Sequence, residues 1–313
     1  MKAKTLWKRI SAMLLSLWIG VSCIAVTASA YGNTDTGKEA ALTVYFGEES
    51  NSFSNVEFYL YYVADVSEAG IYTLTGDFQR YSVSLEDLDS SDWRALAQTL
   101  SAYAVRDGLK PIKTRKTGAD GQAGFSGLAT GLYLVTGDLY KRGGTTYTPE
   151  PMLVSLPILT EKDECLYDVK ISCKFDSETN LAFIERKVQK VWKDDGNEAK
   201  RPEEICVQLL ENGIVVDTVT LSKENNWEYT WEKLNGSSKW QVVEAETPEG
   251  YTVAVVQEGT IFIMTNTYPP DILQKLPQTG MLWWPVPLLV CSGLLLVIIG
   301  LFMRYRQGGQ DDK

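Results

Sequence analysis

The sequence contains no histidine. That absence removes the commonest general base, the commonest zinc ligand and every Ser-His or Cys-His nucleophile pair. Cysteine is scarce as well, with five in the chain, and Cys23 and Cys291 fall in long apolar runs. Cys165, Cys173 and Cys206 remain, an odd number and too few for a disulfide framework. Cys165 and Cys173 stand close together on what reads as one strand, so they are not expected to meet. Positive charge is outweighed: 30 Lys and Arg against 40 Asp and Glu leave a net charge of −10. Such an acidic exterior argues against a nucleic-acid partner. The chain also has no Gly-rich phosphate loop and no metal-spaced cluster, so no cofactor is expected.

What the chain does have is an apolar run near each end. Lys2, Lys4, Lys8 and Arg9 precede the run 13–26, which leads into Ala28-Ser29-Ala30. This reads as a secretory signal peptide over 1–30, cleaved before Tyr31, with a leader over 31–39. A lipoprotein signal at Cys23 is disfavoured, because Gly20-Val21-Ser22 lacks the usual leucine. Near the other end, residues 282–303 carry no charged side chain. At about 1.5 Å per residue they can span a hydrocarbon core of about 30 Å as a transmembrane helix. Trp283 and Trp284 suit the outer interface, and Arg304 and Arg306 hold the tail 304–313 inside. Within the stalk 270–281, Pro277 and Gly280 keep Leu276-Pro277-Gln278-Thr279-Gly280 non-helical and open to an enzyme.

A pentapeptide, an apolar span and a basic tail in this order resemble the Gram-positive LPxTG cell-wall sorting signal. The resemblance implies that a sortase cleaves between Thr279 and Gly280 and joins the Thr279 carboxyl to an amine. That amine belongs to peptidoglycan or to another pilin subunit. The membrane would hold the chain only before sorting, and the body would face outward from the cell wall. The plain alternative is a tail anchor with an accidental Pro-Gln-Thr-Gly turn.

Residues 31–279 suffice for two domains of ordinary size. In the first, 40–175, residues 41–46, 56–63 and 152–156 read as strands, and glycines separate further short strands between 124 and 135. Residues 92–103 read as the one clear helix, with Ser91 as N-cap and Trp93, Leu96, Leu100 and Tyr103 on one face. The sum is a β-sandwich with an inserted helix. The run 121–151 resembles the N-terminal domain of sortase-assembled pilins. At the domain's end, Cys165, Val169, Ile171, Ser172, Cys173 and Lys174 stand at the spacings of the W-x-x-x-V-x-V-Y-P-K pilin motif, without its Trp, Tyr and Pro. The resemblance makes Lys174 a candidate intersubunit acceptor; the alternative is an edge strand ending in a solvated lysine.

After a polar link over 176–181, the segment 182–269 gives about seven short strands, with a hairpin turn at Asn212-Gly213 and the alternation Trp227, Tyr229, Trp231. This predicts a second Ig-like sandwich, in a chain that is mainly β. The motifs K-V-W-x-D-x-G, R-P, V-x-L-L-x-N-G, N-W-x-Y-x-W, P-x-G-Y and T-N-T-Y resemble a collagen-adhesin B-type (Cna B-type) domain. That resemblance implies an autocatalytic isopeptide bond between Lys190 and Asn266, assisted by Glu244. Strand alternation adds an independent reason, since all three fall on faces shared with Val188, Val242, Phe262 and Met264. The bland alternative is a buried or snorkelling Lys–Glu pair beside a capping Asn. In the first sandwich Tyr45, Phe46 and Gly137 occupy the corresponding places, so no such bond is expected there.

The function expected is a wall-anchored structural protein of the pilin or adhesin kind. The family association adds a host matrix protein as a partner. A polymerised pilus subunit would use Lys174, whereas a monomeric or basal protein needs only Thr279. The competing class, an anchored exported enzyme, could work with two carboxylates alone, but the acidic residues are scattered among turns and solvent faces.

Overall fold

The computed structural model describes residues 34–48, 51–160, 164–179 and 181–268. The segments read as signal peptide, sorting motif, membrane span and basic tail lie outside them. Among the described residues no helix is long and apolar enough to cross a membrane.

The first sandwich opposes two sheets. One has the order Asp168–Ser172, Ala40–Tyr45, Gln122–Leu128, with the first pair parallel. The other has the order Met152–Leu156, Gly131–Gly137, Glu57–Val66, Tyr72–Leu74. Between them lies a core that includes Leu42, Val44, Phe58, Leu60, Phe125 and Tyr133. Alternation along Glu57–Val66 sends Phe58 and Leu60 into this core and Tyr61 and Val63 to the opposite face. That opposite face is also buried, which is why every residue of Gly131–Gly137 is buried. The layer covering it is the helix Ser90–Arg106.

The helix starts earlier than its apolar spacing predicts, and Asp89, not Ser91, caps it. The Asp89 carboxylate accepts from the Ser91 and Asp92 amides at 2.7 and 2.9 Å, and the Asp92 carboxylate accepts from the Asp89 amide at 3.2 Å. A reciprocal capping box of this kind satisfies donors that the first turn leaves free. Two further readings are corrected. Residues 176–179, taken as part of a link, belong to the strand Phe175–Thr179, which pairs with Thr145–Pro149. Cys165 and Cys173 are not on one strand: Cys165 pairs toward Leu159, whereas Cys173 follows Asp168–Ser172, and both thiols are free.

The second sandwich has seven strands. Its larger sheet has the order Glu228–Asn235, Phe183–Lys193, Ile261–Thr267, Thr252–Glu258, and its smaller sheet the order Ile214–Ser222, Glu204–Glu211, Trp240–Glu244. Asn212 and Gly213 have φ of 50° and 85°. Positive φ at both central residues matches the twist of a two-residue hairpin, as the Asn-Gly pair predicts. The helix lies against this sandwich too, and one continuous cluster runs from Tyr61, Leu96, Leu100 and Tyr103 to Val242, Val255, Phe262 and Met264.

Candidate functional site

Strand Phe183–Lys193 and strand Ile261–Thr267 are parallel neighbours, with Lys190 opposite Met264 and Trp192 opposite Asn266. Side chains two residues apart share a face, so Lys190 and Asn266 both point inward, one step apart on adjacent strands. Glu244 comes from the opposing sheet, at the end of Trp240–Glu244. The three sequence-predicted residues therefore meet inside the sandwich.

The Lys190 and Glu244 side chains are fully shut off from solvent, with Lys190 Nζ 3.6 Å from Glu244 Oε1. Asn266 is equally buried, and its Nδ2 donates to Glu244 Oε1 and Oε2 at 3.0 and 2.9 Å. Lys190 Nζ and Asn266 Oδ1 have no hydrogen-bond partner among the described residues. A charge in such a place is costly, so each group shifts toward its neutral form. Burial pushes the Lys190 ammonium down, against the attraction of Glu244. Burial likewise pushes the Glu244 carboxyl up, against Lys190 and the bonds from Asn266 and Thr247. Both directions favour an uncharged amine beside a protonated acid, in contact with an amide.

Aromatic rings close the pocket. Lys190 Nζ lies 4.2 Å from the centroid of the Trp192 ring. Trp227 and Tyr251 meet that ring edge-on at 5.3 and 5.2 Å. Tyr251 also donates to Asp194 at 3.2 Å, and Arg201 grips the same carboxylate through two 2.6 Å bonds. The Arg201 bonds hold the Asp194 carboxyl below its ordinary range. This network gives the K-V-W-x-D-x-G, R-P and P-x-G-Y motifs a shared task, fastening the ring over Lys190. Sequence reading found the motifs but not this task, because their spacing does not reveal that they converge.

Lys174 stands apart from this pocket. It is exposed just beyond the edge strand Asp168–Ser172, and its carbonyl accepts from the Glu150 amide at 2.8 Å. The sorting residues Leu276, Pro277, Gln278, Thr279 and Gly280 lie outside the described residues. Among the described residues no group of three or more His, Cys, Asp or Glu is placed to hold a metal.

Two family models match the chain in tandem. Residues 186–267 match the family model for the Cna protein B-type domain. Residues 24–174 match that for the Gram-positive pilin subunit D1, N-terminal domain, and the match ends on Lys174. A collagen adhesin of Staphylococcus aureus is 32% identical over 83 residues, which is 26% of this chain and only 7% of that protein. A single B repeat unit (B1) of the S. aureus collagen-binding surface protein Cna is similar at 19% identity and a TM-score of 0.27, covering 74% of this chain and 99% of that one. The full-length major pilin SpaD of Corynebacterium diphtheriae is similar at 11% identity and a TM-score of 0.28, covering 76% of this chain and 99% of that one. With a pilin D1 domain followed by a Cna B-type domain, the chain belongs to the Cna B-type and pilin family of surface proteins.

Proposed function

We propose that this protein is a wall-anchored spacer whose second sandwich is closed by a Lys190–Asn266 isopeptide bond. One observation carries the reading: an unpartnered Lys190 amine and the Glu244 carboxyl lie 3.6 Å apart without solvent, beside the Asn266 amide. In this dry setting Lys190 is a neutral nucleophile and Glu244 a general acid. Asn266 Nδ2, the nitrogen that leaves, already faces the carboxyl; a half-turn about Cβ–Cγ would bring Oδ1 there instead. Glu244 polarises the amide, Lys190 Nζ attacks Cγ, and the tetrahedral carbon expels ammonia. One Nζ proton ends on the departing nitrogen, and Glu244 regains its own. The product amide joins the first strand to the last and leaves no charge to bury.

Export, sortase cleavage after Thr279 and attachment through the Thr279 carboxyl complete the reading. They are supported by the sorting signal in the sequence. A second form of it, a polymerised pilus subunit, is favoured by the exposure of Lys174 at the end of an edge strand. A matrix-protein ligand remains an association with the collagen adhesin and rests on no site described above.

The test is the intact mass of residues 31–275, which include every described residue, beside Lys190→Ala and Glu244→Ala. The wild type is expected to be lighter by one ammonia, and both variants to regain the full mass. A folded wild type at full mass would reduce the three residues to a buried polar cluster.

A further inference from the structure

Each sheet of the second sandwich ends, on the same side, in an edge strand: Thr252–Glu258 in one and Trp240–Glu244 in the other. Edge strands carry outward N–H and C=O groups that need partners. Here the first sandwich supplies them. The Val253 amide donates to the Ser82 carbonyl at 2.9 Å, Val255 to Thr99 Oγ1 at 2.7 Å and Gln257 to Gln98 Oε1 at 2.7 Å. On the other edge, the Glu244 carbonyl accepts from Tyr103 Oη at 3.3 Å and from Arg106 Nη1 at 3.4 Å. The same glutamate is thus held from two directions. Its backbone is fastened by the helix of the first sandwich, and its carboxyl reaches Asn266 and Lys190 inside the second.

Tyr103 is itself fixed. It is 4% exposed and stacks on Tyr81 at 4.7 Å with the rings 8° apart. Burial pushes its phenol up to about 12, so it remains a neutral hydrogen-bond donor across the physiological range. Arg106 covers its other neighbour, Asp107, through a 2.7 Å ion pair.

We infer that Tyr103 is a positioning residue for the crosslink of the second sandwich: its hydroxyl, by holding the Glu244 carbonyl, sets the acid and speeds the bond. This rests on the crosslink reading above. The chemical reason is geometric: a general acid contributes only when held within hydrogen-bond reach of the group it serves. Glu244 is the last residue of a short edge strand, and without the helix its carbonyl has no partner within its own sheet.

The experiment follows residues 31–275 made in a cell-free reaction and sampled for intact mass over time, with folding monitored by circular dichroism. Tyr103→Phe keeps the ring and removes only the hydroxyl. Thr99→Val removes the contact to Val255, weakening the same docking without touching Glu244. Ammonia loss in Tyr103→Phe should slow several-fold, by up to about tenfold for the loss of one hydrogen bond. Thr99→Val, with a comparable drop in melting midpoint, should crosslink at the wild-type rate. Tyr103→Phe reacting as fast as wild type would overturn the inference and leave the crosslink reading intact. Equal slowing by Thr99→Val would also overturn it, because the helix would then act through docking strength alone. A wild type that never loses ammonia removes the crosslink and the inference together.

Discussion

Lys190 Nζ and Glu244 Oε1 face each other at 3.6 Å from opposite sheets, and neither side chain touches solvent. Each offsets part of the other's cost of burial, so removing one should expose the other's shift. Lys190→Met leaves Glu244 raised by burial above its ordinary 4.5. A raised group gives stability that is present below 4.5 and lost as pH rises through the folded value. Glu244→Gln leaves Lys190 lowered by burial below 10.5. Its contribution is present above 10.5 and lost as pH falls through the folded value. Urea midpoints measured across this range should fall with pH for Lys190→Met and rise with pH for Glu244→Gln. Slopes of the same sign would exclude burial as the governing cause.

Asp194 is 2% exposed and is gripped by Arg201 and Tyr251. Arg201→Met strands that carboxylate and should cost about 2 kcal/mol in chemical denaturation. Because Arg201 lowers the Asp194 carboxyl below 3.8, the wild type loses this contribution only as pH falls through the folded value. In Arg201→Met that acid-side loss should shrink. An unchanged midpoint would mean that Trp192 is held by its aromatic neighbours alone.

Leu100 is completely buried where the helix meets both sandwiches. Leu100→Ala should destabilise the protein by about 2–4 kcal/mol through lost burial and an unfilled cavity. Since the cluster is continuous, both sandwiches should lose stability together, read by tryptophan fluorescence for the second and far-UV dichroism for the whole. Two separate transitions in the wild type would argue against the shared core.

Anchoring and polymerisation separate in a sortase-positive Gram-positive host. Thr279→Ala should move the protein from the wall fraction to the membrane and medium, because the residue whose backbone carbonyl is transferred no longer matches the sorting motif. Lys174→Arg should leave wall attachment intact. A high-mass ladder in the wild type that disappears with Lys174→Arg would assign the pilus-subunit form. A single wall-linked species in both would assign the monomeric or basal form.

Much of the candidate pocket was legible because strands alternate with a period of two. Lys190 between Val188 and Trp192, and Asn266 between Met264 and Tyr268, are polar residues on apolar faces, and no packing is needed to notice them. The Asn212-Gly213 hairpin was legible for a similar local reason. The strand Phe175–Thr179 was not, since residues 176–179 are all exposed and its order comes from backbone pairing with Thr145–Pro149. Backbone pairing leaves no mark on side-chain pattern when neither face is buried. The cap at Asp89 was misplaced by two residues because Asp89 and Ser91 both carry a capping oxygen, and only the closing contact from Asp92 distinguishes them.

The sequence by itself determined the two β-rich segments and the inward placement of the three pocket residues, because each is written in local composition or in strict alternation. Tertiary structure alone decided what surrounds them. Trp192 closing over Lys190, Arg201 and Tyr251 meeting at Asp194, and Tyr103 reaching the Glu244 carbonyl all join residues from distant parts of the chain. The apolar face carrying Tyr103 reads the same whether it packs on its own sandwich or on the next. Which one it meets depends on the unpaired strand edges available to it, and those exist only once both sheets have formed.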